Sequence, residues 1–410
     1  MRLTLLLGLV AAGAMPMTVK YGGVPLTLAY AAVLAAAGMV IAAVQRGARL
    51  PAGRWQAAAL ALALTAAFAV LYPFAQSGLL GPGSDRDEAL SIAIQALLDG
   101  RFPYGGRTYL GGPVTPLPGA LLIGMPFHLL GAVAVQNVAV TLAVVLALGR
   151  TLRDPPARWL LLGVVTLGNP GFMQDYVTGG DYAVNALYVG AALWGAVRAV
   201  DGGVPWRMAA AAALLGVAVC SRPDYGVAVV ILAAHGWHRR GPAAGLGPGA
   251  LAAGVALALA LPFYLHDPAG FSPLHVTGKL PPGARSLGEV LPLLAAGAVA
   301  ILCRRPLTPA RLFTALAAGM GIMLVPAALA MAWHAGGTSL RAWTQPFTYA
   351  LPAVLYGCAA VMAMRPLGSR RGGTLSPSVE ARCDWRMRII SRRGLREQWE
   401  IPGRATAKGR

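Results

Sequence analysis

The sequence predicts an all-α protein: a polytopic bundle of transmembrane helices with a large outer loop that carries a juxtamembrane amphipathic helix. Of its 410 residues, 57% are hydrophobic and 12% are charged. Soluble domains have about 45–50% apolar and about 25% charged residues. The formal net charge of +19 arises from having only 15 acids beside 34 bases, and the bases are scattered between apolar runs. These features exclude a disordered or disulfide-stapled chain, argue against nucleic acid as a partner and favour the lipid bilayer.

About twelve apolar segments, within a range of roughly 10–13, are candidates for membrane crossings, since a crossing needs ~20 residues. Six are clear, at residues 24–44, 55–74, 181–200, 251–265, 312–333 and 347–364. Six are shorter or interrupted, at residues 3–15, 131–149, 158–172, 208–220, 225–237 and 287–303. The apolar stretch 116–130 contains prolines and glycines. It is predicted not to cross completely, which leaves both chain ends on the same side.

The distribution of charge predicts the orientation of the chain. Arginine-rich loops face the cytoplasm in membrane proteins. Assigning them there places most of the acids in the alternate loops, namely Asp85, Asp87, Glu88, Asp99, Asp175, Asp181, Asp224, Asp267 and Glu289. The prediction is a multi-pass protein of the inner (plasma) membrane whose loop 75–115 is non-cytoplasmic. Residues 1–364 form the transmembrane domain. Residues 365–410 are a basic, disordered cytoplasmic tail that either contacts anionic lipid headgroups or has no role.

The loop 75–115 contains the most informative pattern. Ser84 is predicted to cap a helix, with Asp85, Asp87 and Glu88 near its positive amino end. An apolar stripe then precedes Gly100 and consists of Ala89, Ile92, Ala93, Ala96 and Leu97. This spacing is typical of an amphipathic helix that lies along a membrane surface. Acids at a helix start also serve as plain caps, and that alternative stands beside a catalytic one.

From Gly81 the chain reads GPGSDRDEALSIAIQALLDGRFPYGGRTYLGGPVTPLPGALLIGMPFHLLG. This pattern resembles the polytopic glycosyltransferases of the C superfamily, in particular bacterial mannosyl- and arabinosyltransferases. Asp85 and Asp87 match the acidic motif of its first outer loop, and Pro113, Pro116 and Pro118 match its proline-rich edge. The resemblance implies inverting transfer of a sugar from a polyprenyl-phosphate donor to an envelope glycan, lipid or protein acceptor. The chain departs from the family in having two helices before the usual first one.

The chemistry of such a transfer assigns roles to the outer residues. A carboxylate, Asp85 or Asp87, would be the general base that takes the acceptor proton. Cationic side chains would stabilise the departing phosphate, and the candidates are Arg86, Arg101, Arg107, Arg222, Lys279 and Arg341. Further candidates for substrate binding are Glu88, Tyr104, Asp175, Asp181, Asp224 and His334. Asp181 as a helix cap and an ion pair between Arg222 and Asp224 are the competing structural explanations.

No cofactor is indicated with certainty, and no protein metal site is predicted. Cys220, Cys303, Cys358 and Cys383 are far apart and form no CxxC pair. A divalent cation at Asp85 and Asp87 is a candidate, although one acidic motif does not require it. Two other functions stay open. One is a transporter or flippase of lipid-linked intermediates, and the other is an envelope polymer ligase or polymerase.

Overall fold

The structure, a computed structural model, describes residues 2–47, 54–77, 79, 83–151, 156–274, 280–335 and 337–364. The chain divides into two units, Met1–Met364 and Arg365–Arg410. The predicted basic tail is the second unit and lies outside the described residues.

The described chain consists of α-helices joined by loops and short 3-10 turns, which confirms the all-α class. The helices are α1 (Arg2–Gly47), α2 (Arg54–Gln76), α3 (Arg86–Leu98), α4 (Pro118–Leu129), α5 (Val135–Thr151), α6 (Pro156–Val165), α7 (Pro170–Val177), α8 (Tyr182–Gly202), α9 (Pro205–Val219), α10 (Gly226–Arg240), α11 (Pro242–His266), α12 (Leu287–Leu302), α13 (Pro309–His334), α14 (Leu340–Thr344) and α15 (Leu351–Ala363).

Seven helical segments of the described chain are long and apolar enough to cross a membrane. They are Arg2–Arg46, Trp55–Gln76, Tyr182–Gly202, Ala244–His266, Pro282–Leu302, Pro309–His334 and Leu340–Ala363. Each clear span predicted from the sequence overlaps one of these segments. The protein is therefore built as a helical bundle with the composition of a membrane protein.

Helix α1 is a hairpin of two arms, because its helical course is interrupted at Gly23. Gly23 has φ 60° and ψ −150°, a conformation that side chains disfavour and glycine tolerates. Thr27 Oγ1 donates to Thr18 Oγ1 at 3.1 Å. A Cβ on Gly38 would lie 2.5 Å from Leu7 Cδ1. These pairs straddle Gly23 symmetrically, so the arms 2–22 and 24–47 run antiparallel.

The main core is centred on α8, whose Val189, Leu193 and Val197 are almost completely buried. Interhelical hydrogen bonds supplement apolar packing there, as is usual between helices in a membrane. The Tyr356 hydroxyl of α15 donates to the Ala186 carbonyl at 2.9 Å. The Tyr176 hydroxyl of α7 donates to the Leu64 carbonyl at 3.3 Å. The amino end of α8, which carries Asp181 and Tyr182, is thus part of a helix packed into the core.

The predicted amphipathic helix corresponds to α3, with differences at its start and on its buried face. Asp85 rather than Ser84 occupies the N-cap position, and its side chain makes no capping hydrogen bond. Leu90 and Ile94 are buried in addition to part of the expected stripe. The additional burial follows from contact with α4, which covers a second side of α3. The sequence prediction considered a membrane surface alone and so missed this partner.

Helix α4 packs against both α3 and α9. Its twelve residues span only about 18 Å at 1.5 Å per residue, less than the thickness of a bilayer core. Backbone amides at its start donate to the carbonyls that follow α9: Leu117 N to Ser221 O at 3.1 Å and Gly119 N to Cys220 O at 2.7 Å. The start of α4 therefore anchors the turn that carries Arg222 and Asp224.

Gly119 makes this close approach possible, and its replacement should disrupt it. A Cβ on Gly119 would lie 2.1 Å from the Val217 carbonyl oxygen and 2.5 Å from that of Cys220. We expect Gly119→Ala to destabilise the protein by about 1–3 kcal/mol, because backbone atoms must move apart. Thermal unfolding in detergent measures this change. Gly297→Ala is the matched control, since a Cβ there meets no atom within 4 Å. Equal melting temperatures for the two variants would contradict the prediction.

Candidate functional site

Two adjoining cavities lie where the loops after α2, α7 and α9 converge. The larger has a volume of ≈ 280 Å³ and the smaller ≈ 170 Å³. Asp85, Arg86 and Tyr182 line both cavities. The three residues therefore stand at the junction of the two spaces. We name the larger space the amphipathic cavity and the smaller one the polar cavity.

The amphipathic cavity has a charged wall and an apolar wall. Its charged residues are Asp85 and Arg86 at the start of α3 and Arg222 and Asp224 in the turn after α9. Its apolar residues come mainly from α12 and α13 and include Leu287, Leu291, Met320, Met323, Leu324 and Met331. A molecule with an ionic head and an apolar chain matches this division.

Two buried ion pairs form one cluster around the ring of Tyr182. Arg86 Nη1 donates to Asp175 Oδ1 at 2.8 Å, and Arg222 contacts both oxygens of Asp181 at 2.7 Å. The guanidinium carbons of Arg86 and Arg222 lie 3.6 Å and 4.5 Å from the Tyr182 ring centroid. The carboxylate side chains are 3% and 7% exposed for Asp175 and Asp181. We call these five residues the Tyr182 cluster.

Local folding explains why these charges meet. Asp175 lies near the carboxyl end of α7, and Asp181 is the N-cap residue of α8. The Asn137 side-chain amide binds the connecting turn through the carbonyls of Tyr176 and Gly180, at 3.2 and 2.8 Å. Asp181 makes no side-chain capping hydrogen bond, because Arg222 engages its carboxylate instead. The structural alternatives considered for these residues were Asp181 as a helix cap and an ion pair between Arg222 and Asp224. Instead, Arg222 pairs with Asp181.

The electrostatics of the cluster keep its charges in place. Burial alone would raise the pKa of the Asp181 carboxyl, but Arg222 and Arg86 hold that pKa below its ordinary value. Burial alone would lower the pKa of the Arg222 guanidinium, whereas Asp181 raises it above its ordinary value. The pair therefore stays ionised at neutral pH.

Asp224 differs from the other acids of the site. Its carboxylate lines the amphipathic cavity. Within the part of the chain that the structure describes, it has no hydrogen-bond partner. Burial raises its pKa, and Arg222 opposes that rise. It is a half-buried carboxylate that remains available to a bound molecule.

Asp85 combines a fixed position with access to both cavities. The Thr108 hydroxyl donates to its Oδ2. Its Oδ1 has no hydrogen-bond partner among the described residues. The Thr108 contact comes from the loop between α3 and α4, so that loop orients the carboxylate. One oxygen of Asp85 thus accepts a hydrogen bond, and the residue lines both cavities.

The neighbouring acids of α3 are occupied by structural contacts. Asp87 Oδ2 accepts hydrogen bonds from the Tyr72 hydroxyl and the Gln76 amide, each at 3.0 Å. Burial raises the pKa of the Asp87 carboxyl, although the Tyr72 hydrogen bond opposes the rise. Glu88 Oε2 accepts from the backbone amide of Tyr109 at 2.8 Å. These contacts tie α3 to α2 and to its own loop, and neither acid lines the two cavities.

The other predicted site residues that the structure describes do not line the two cavities. Arg101 pairs with Asp99 at 2.6 Å on the surface. Tyr104 is buried among aromatic rings, and Arg107 donates to the Gly111 carbonyl at 3.1 Å. His334 and Arg341 are exposed. Lys279 lies outside the described residues.

Several contributors to the site carried no clear signal in the sequence. Tyr182 organises both guanidinium groups, yet it follows Asp181 as an ordinary first residue of a helix. Thr108 orients Asp85 across 23 positions of the chain. Gln174 and Gln345 line the polar cavity from separate segments. Their roles depend on the folding of distant segments together.

A metal ion would need a group of ligand side chains, and the described part of the chain contains no such group. No group of three or more His, Cys, Asp or Glu residues there could hold a metal ion. A divalent cation at Asp85 and Asp87 stays a prediction. Cys220, Cys303 and Cys358 are buried free thiols, and Cys383 lies outside the described residues.

Comparisons with protein-family models, curated proteins and solved structures found no match to this chain. The fold and the site define the class of protein. It is a helical bundle of membrane-protein composition in which Asp85 and Arg86 lie between an amphipathic cavity and a polar cavity.

Proposed function

We propose that the protein is an integral membrane glycosyltransferase that transfers a sugar from a polyprenyl-phosphate donor to an acceptor hydroxyl. The amphipathic cavity supports this proposal most directly. It places Asp85, Arg86 and Arg222 beside an apolar wall of α12 and α13. A lipid phosphate needs both features, since its phosphate is anionic and its chain is apolar.

The arginines retain donors for a phosphate after their ion pairs are made. A guanidinium has five N–H donors in a planar fork. Arg222 uses Nε and Nη2 for Asp181, and Arg86 uses Nη1 for Asp175. Among the described residues, Arg222 Nη1 and Arg86 Nη2 have no hydrogen-bond partner. These groups would bind the phosphate, while their carboxylate partners keep both arginines oriented.

The proposed step is a direct displacement with Asp85 as general base. The free carboxylate oxygen of Asp85 takes the proton of the acceptor hydroxyl as that oxygen forms a bond to the anomeric carbon. The bond between the anomeric carbon and the phosphate oxygen breaks, and its electron pair leaves with the polyprenyl phosphate. Arg86 and Arg222 stabilise the negative charge that develops there. Asp224 offers a second carboxylate for sugar hydroxyls.

The proposed topology has twelve crossings with the site on the non-cytoplasmic side of the inner membrane. The division of α1 at Gly23 turns the seven long segments into eight. Helix α5, the consecutive pair α6 and α7, α9 and α10 supply four more. Arg2 donates to the Met364 carbonyl at 3.2 Å, in keeping with an even number of crossings between these two residues. The loop 75–115, with Asp85, then lies opposite the arginine-rich loops.

Reconstitution provides the test. Purified protein in lipid vesicles should transfer radiolabelled sugar from a polyprenyl-phosphate donor to an added glycan acceptor and release polyprenyl phosphate. Cleavage of the bond between the sugar and the polyprenyl phosphate distinguishes this function from that of a flippase, which moves the lipid-linked sugar intact. Movement of intact lipid-linked sugar across the bilayer without bond cleavage would contradict the proposal. Cytoplasmic accessibility of a reporter at residue 85 would contradict the assigned topology.

A further inference from the structure

The polar cavity is a separate space from the one proposed for the lipid donor. Its lining includes Lys20 from the α1 hairpin, Gln174 from α7, and Gln345 and Thr348 from the turn before α15. Asp85 and Arg86 form its boundary with the amphipathic cavity.

Hydrogen-bonding groups in the polar cavity lack partners within the described chain. Gln345 Oε1 is completely buried and has no hydrogen-bond partner. A buried carbonyl oxygen left without a partner costs about 1–3 kcal/mol. The structure shows no partner for the Gln174 amide either, among the residues that it describes. The side chains of Gln174 and Gln345 therefore line the polar cavity with hydrogen-bonding capacity that the described chain does not use.

The chemistry of the lining selects the kind of molecule. Amide side chains both donate and accept, and the Lys20 ammonium and the Asp85 carboxylate add one donor group and one acceptor. Hydroxyl groups also donate and accept, so a ring with several hydroxyls matches this set. An apolar chain would leave these groups desolvated and unpaired.

The size of the cavity limits the ligand further. Its ≈ 170 Å³ is smaller than the range of about 300–1,000 Å³ that is usual for pockets of drug-sized ligands. The space fits one ring and excludes a folded peptide segment.

We infer that the polar cavity binds a single hydroxylated ring of the acceptor, a sugar or polyol, with Gln174 and Gln345 as its specificity-determining residues. This inference rests on the proposed function, since Asp85 at the boundary would take a proton from one hydroxyl of that ring. The ring can belong to a soluble glycan or to a lipid headgroup. Both sources present the same hydroxyl chemistry to the cavity.

Site-directed thiol labelling tests the inference without requiring sugar transfer. Thr348→Cys reports on the polar cavity, and Thr115→Cys reports on the amphipathic cavity. Both are placed in a Cys383→Ser background, because the other native thiols are buried. Labelling rates by a small hydrophilic thiosulfonate are measured in nanodiscs. The probes are methyl α-D-mannopyranoside, myo-inositol and farnesyl phosphate, with phosphatidylinositol in the nanodisc as the headgroup source.

A sugar or polyol should slow labelling of Thr348→Cys by about ten-fold at about ten times its dissociation constant. Phosphatidylinositol protecting the same cysteine would identify a headgroup source and also support the inference. Gln345→Leu or Gln174→Leu should weaken protection by about ten-fold, the effect of one lost hydrogen bond. Two variants are used so that a folding defect in one does not decide the result. Labelling of Thr115→Cys should be insensitive to the free sugar.

Other outcomes separate this inference from the proposed function. If farnesyl phosphate protects Thr115→Cys but no sugar, polyol or headgroup protects Thr348→Cys, the inference fails and the donor site stands. If a sugar protects Thr348→Cys but farnesyl phosphate leaves Thr115→Cys unprotected, the donor site fails instead. An unreactive Thr348→Cys, or protection by a serine-containing peptide alone, overturns the inference.

Discussion

Replacing Asp85 with Asn should lower the rate of sugar transfer by about 10²–10⁴-fold, the usual contribution of a general base. The amide of Asn keeps the size of the side chain and can still accept from Thr108, so the local structure should survive. It cannot take the acceptor proton at neutral pH. The effect should therefore fall on the chemical step, seen in kcat, while binding of farnesyl phosphate at the amphipathic cavity changes little.

The measurement is transfer from a polyprenyl-phosphate donor in vesicles, with two comparison variants. Asp99→Asn removes an exposed acid just beyond the other end of α3. Its carboxylate accepts hydrogen bonds from Gln95 and Arg101, and the change should leave transfer unchanged. Asp87→Asn should have a smaller effect than Asp85→Asn, because Asp87 is held by Tyr72 and Gln76 and lines neither cavity. Full activity in Asp85→Asn would contradict its assignment as the base, and full activity in both Asp85→Asn and Asp87→Asn would exclude either acid from that role.

Replacing Asp181 alone should cause the largest loss of stability of any single change in the site. Asp181 and Arg222 form a buried pair with contacts of 2.7 Å. Removing one partner of such a pair typically costs about 3–5 kcal/mol, because the other charge stays buried without compensation. We expect Asp181→Leu to lower the melting temperature strongly. The neighbouring Arg86 adds to the loss, because it is a second cation and its Nε lies 3.8 Å from Asp181 Oδ1.

A double variant distinguishes loss of a charge pair from loss of packing. Replacing a buried pair with apolar residues of similar volume is often close to neutral. Asp181→Leu combined with Arg222→Met should therefore recover most of the stability lost in Asp181→Leu. Thermal unfolding in detergent gives both values, and the exposed pair of Asp99 and Arg101 provides a control whose removal should leave the melting temperature unchanged. A double variant less stable than either single variant would contradict this account.

The sequence predicted the helical bundle because the signal for it is local. A run of apolar residues in lipid must satisfy its backbone hydrogen bonds within the segment, and a helix does so. Each clear span therefore overlaps an observed helical segment. The same local logic located α3, although it misplaced the N-cap and overlooked the contact with α4. Gly23 lies between the spans predicted at residues 3–15 and 24–44, so the hydropathy pattern already separates the two arms of α1. The backbone conformation of Gly23 and the antiparallel packing of the arms come from the structure alone.

The candidate site was predicted residue by residue, but its organisation was not. The scarce acids of this basic chain include Asp85, Asp175, Asp181 and Asp224. Asp85, Asp175 and Asp224 line one or both of the two cavities, and Asp181 pairs with Arg222 of the lining. The same reasoning included Arg101, Arg107 and Arg341, whose contacts are local or solvent-exposed. Assigning a residue to an outer loop does not distinguish site residues from the others. Such an assignment predicts the side of the membrane but not the distance between side chains.

Composition and hydropathy alone therefore determined that the chain is helical and suited to a bilayer, because those properties are sums over neighbouring residues. The low acid count also determined where ionic chemistry is concentrated. Only the tertiary structure decided that Arg86 and Arg222 share the ring of Tyr182, and that Asp85 stands between two cavities. Those facts depend on bringing together segments about 90 to 140 positions apart. Arg86 contacts Asp175, and Asp85 and Arg222 line the same cavity. Packing of helix ends, rather than local sequence, creates such contacts.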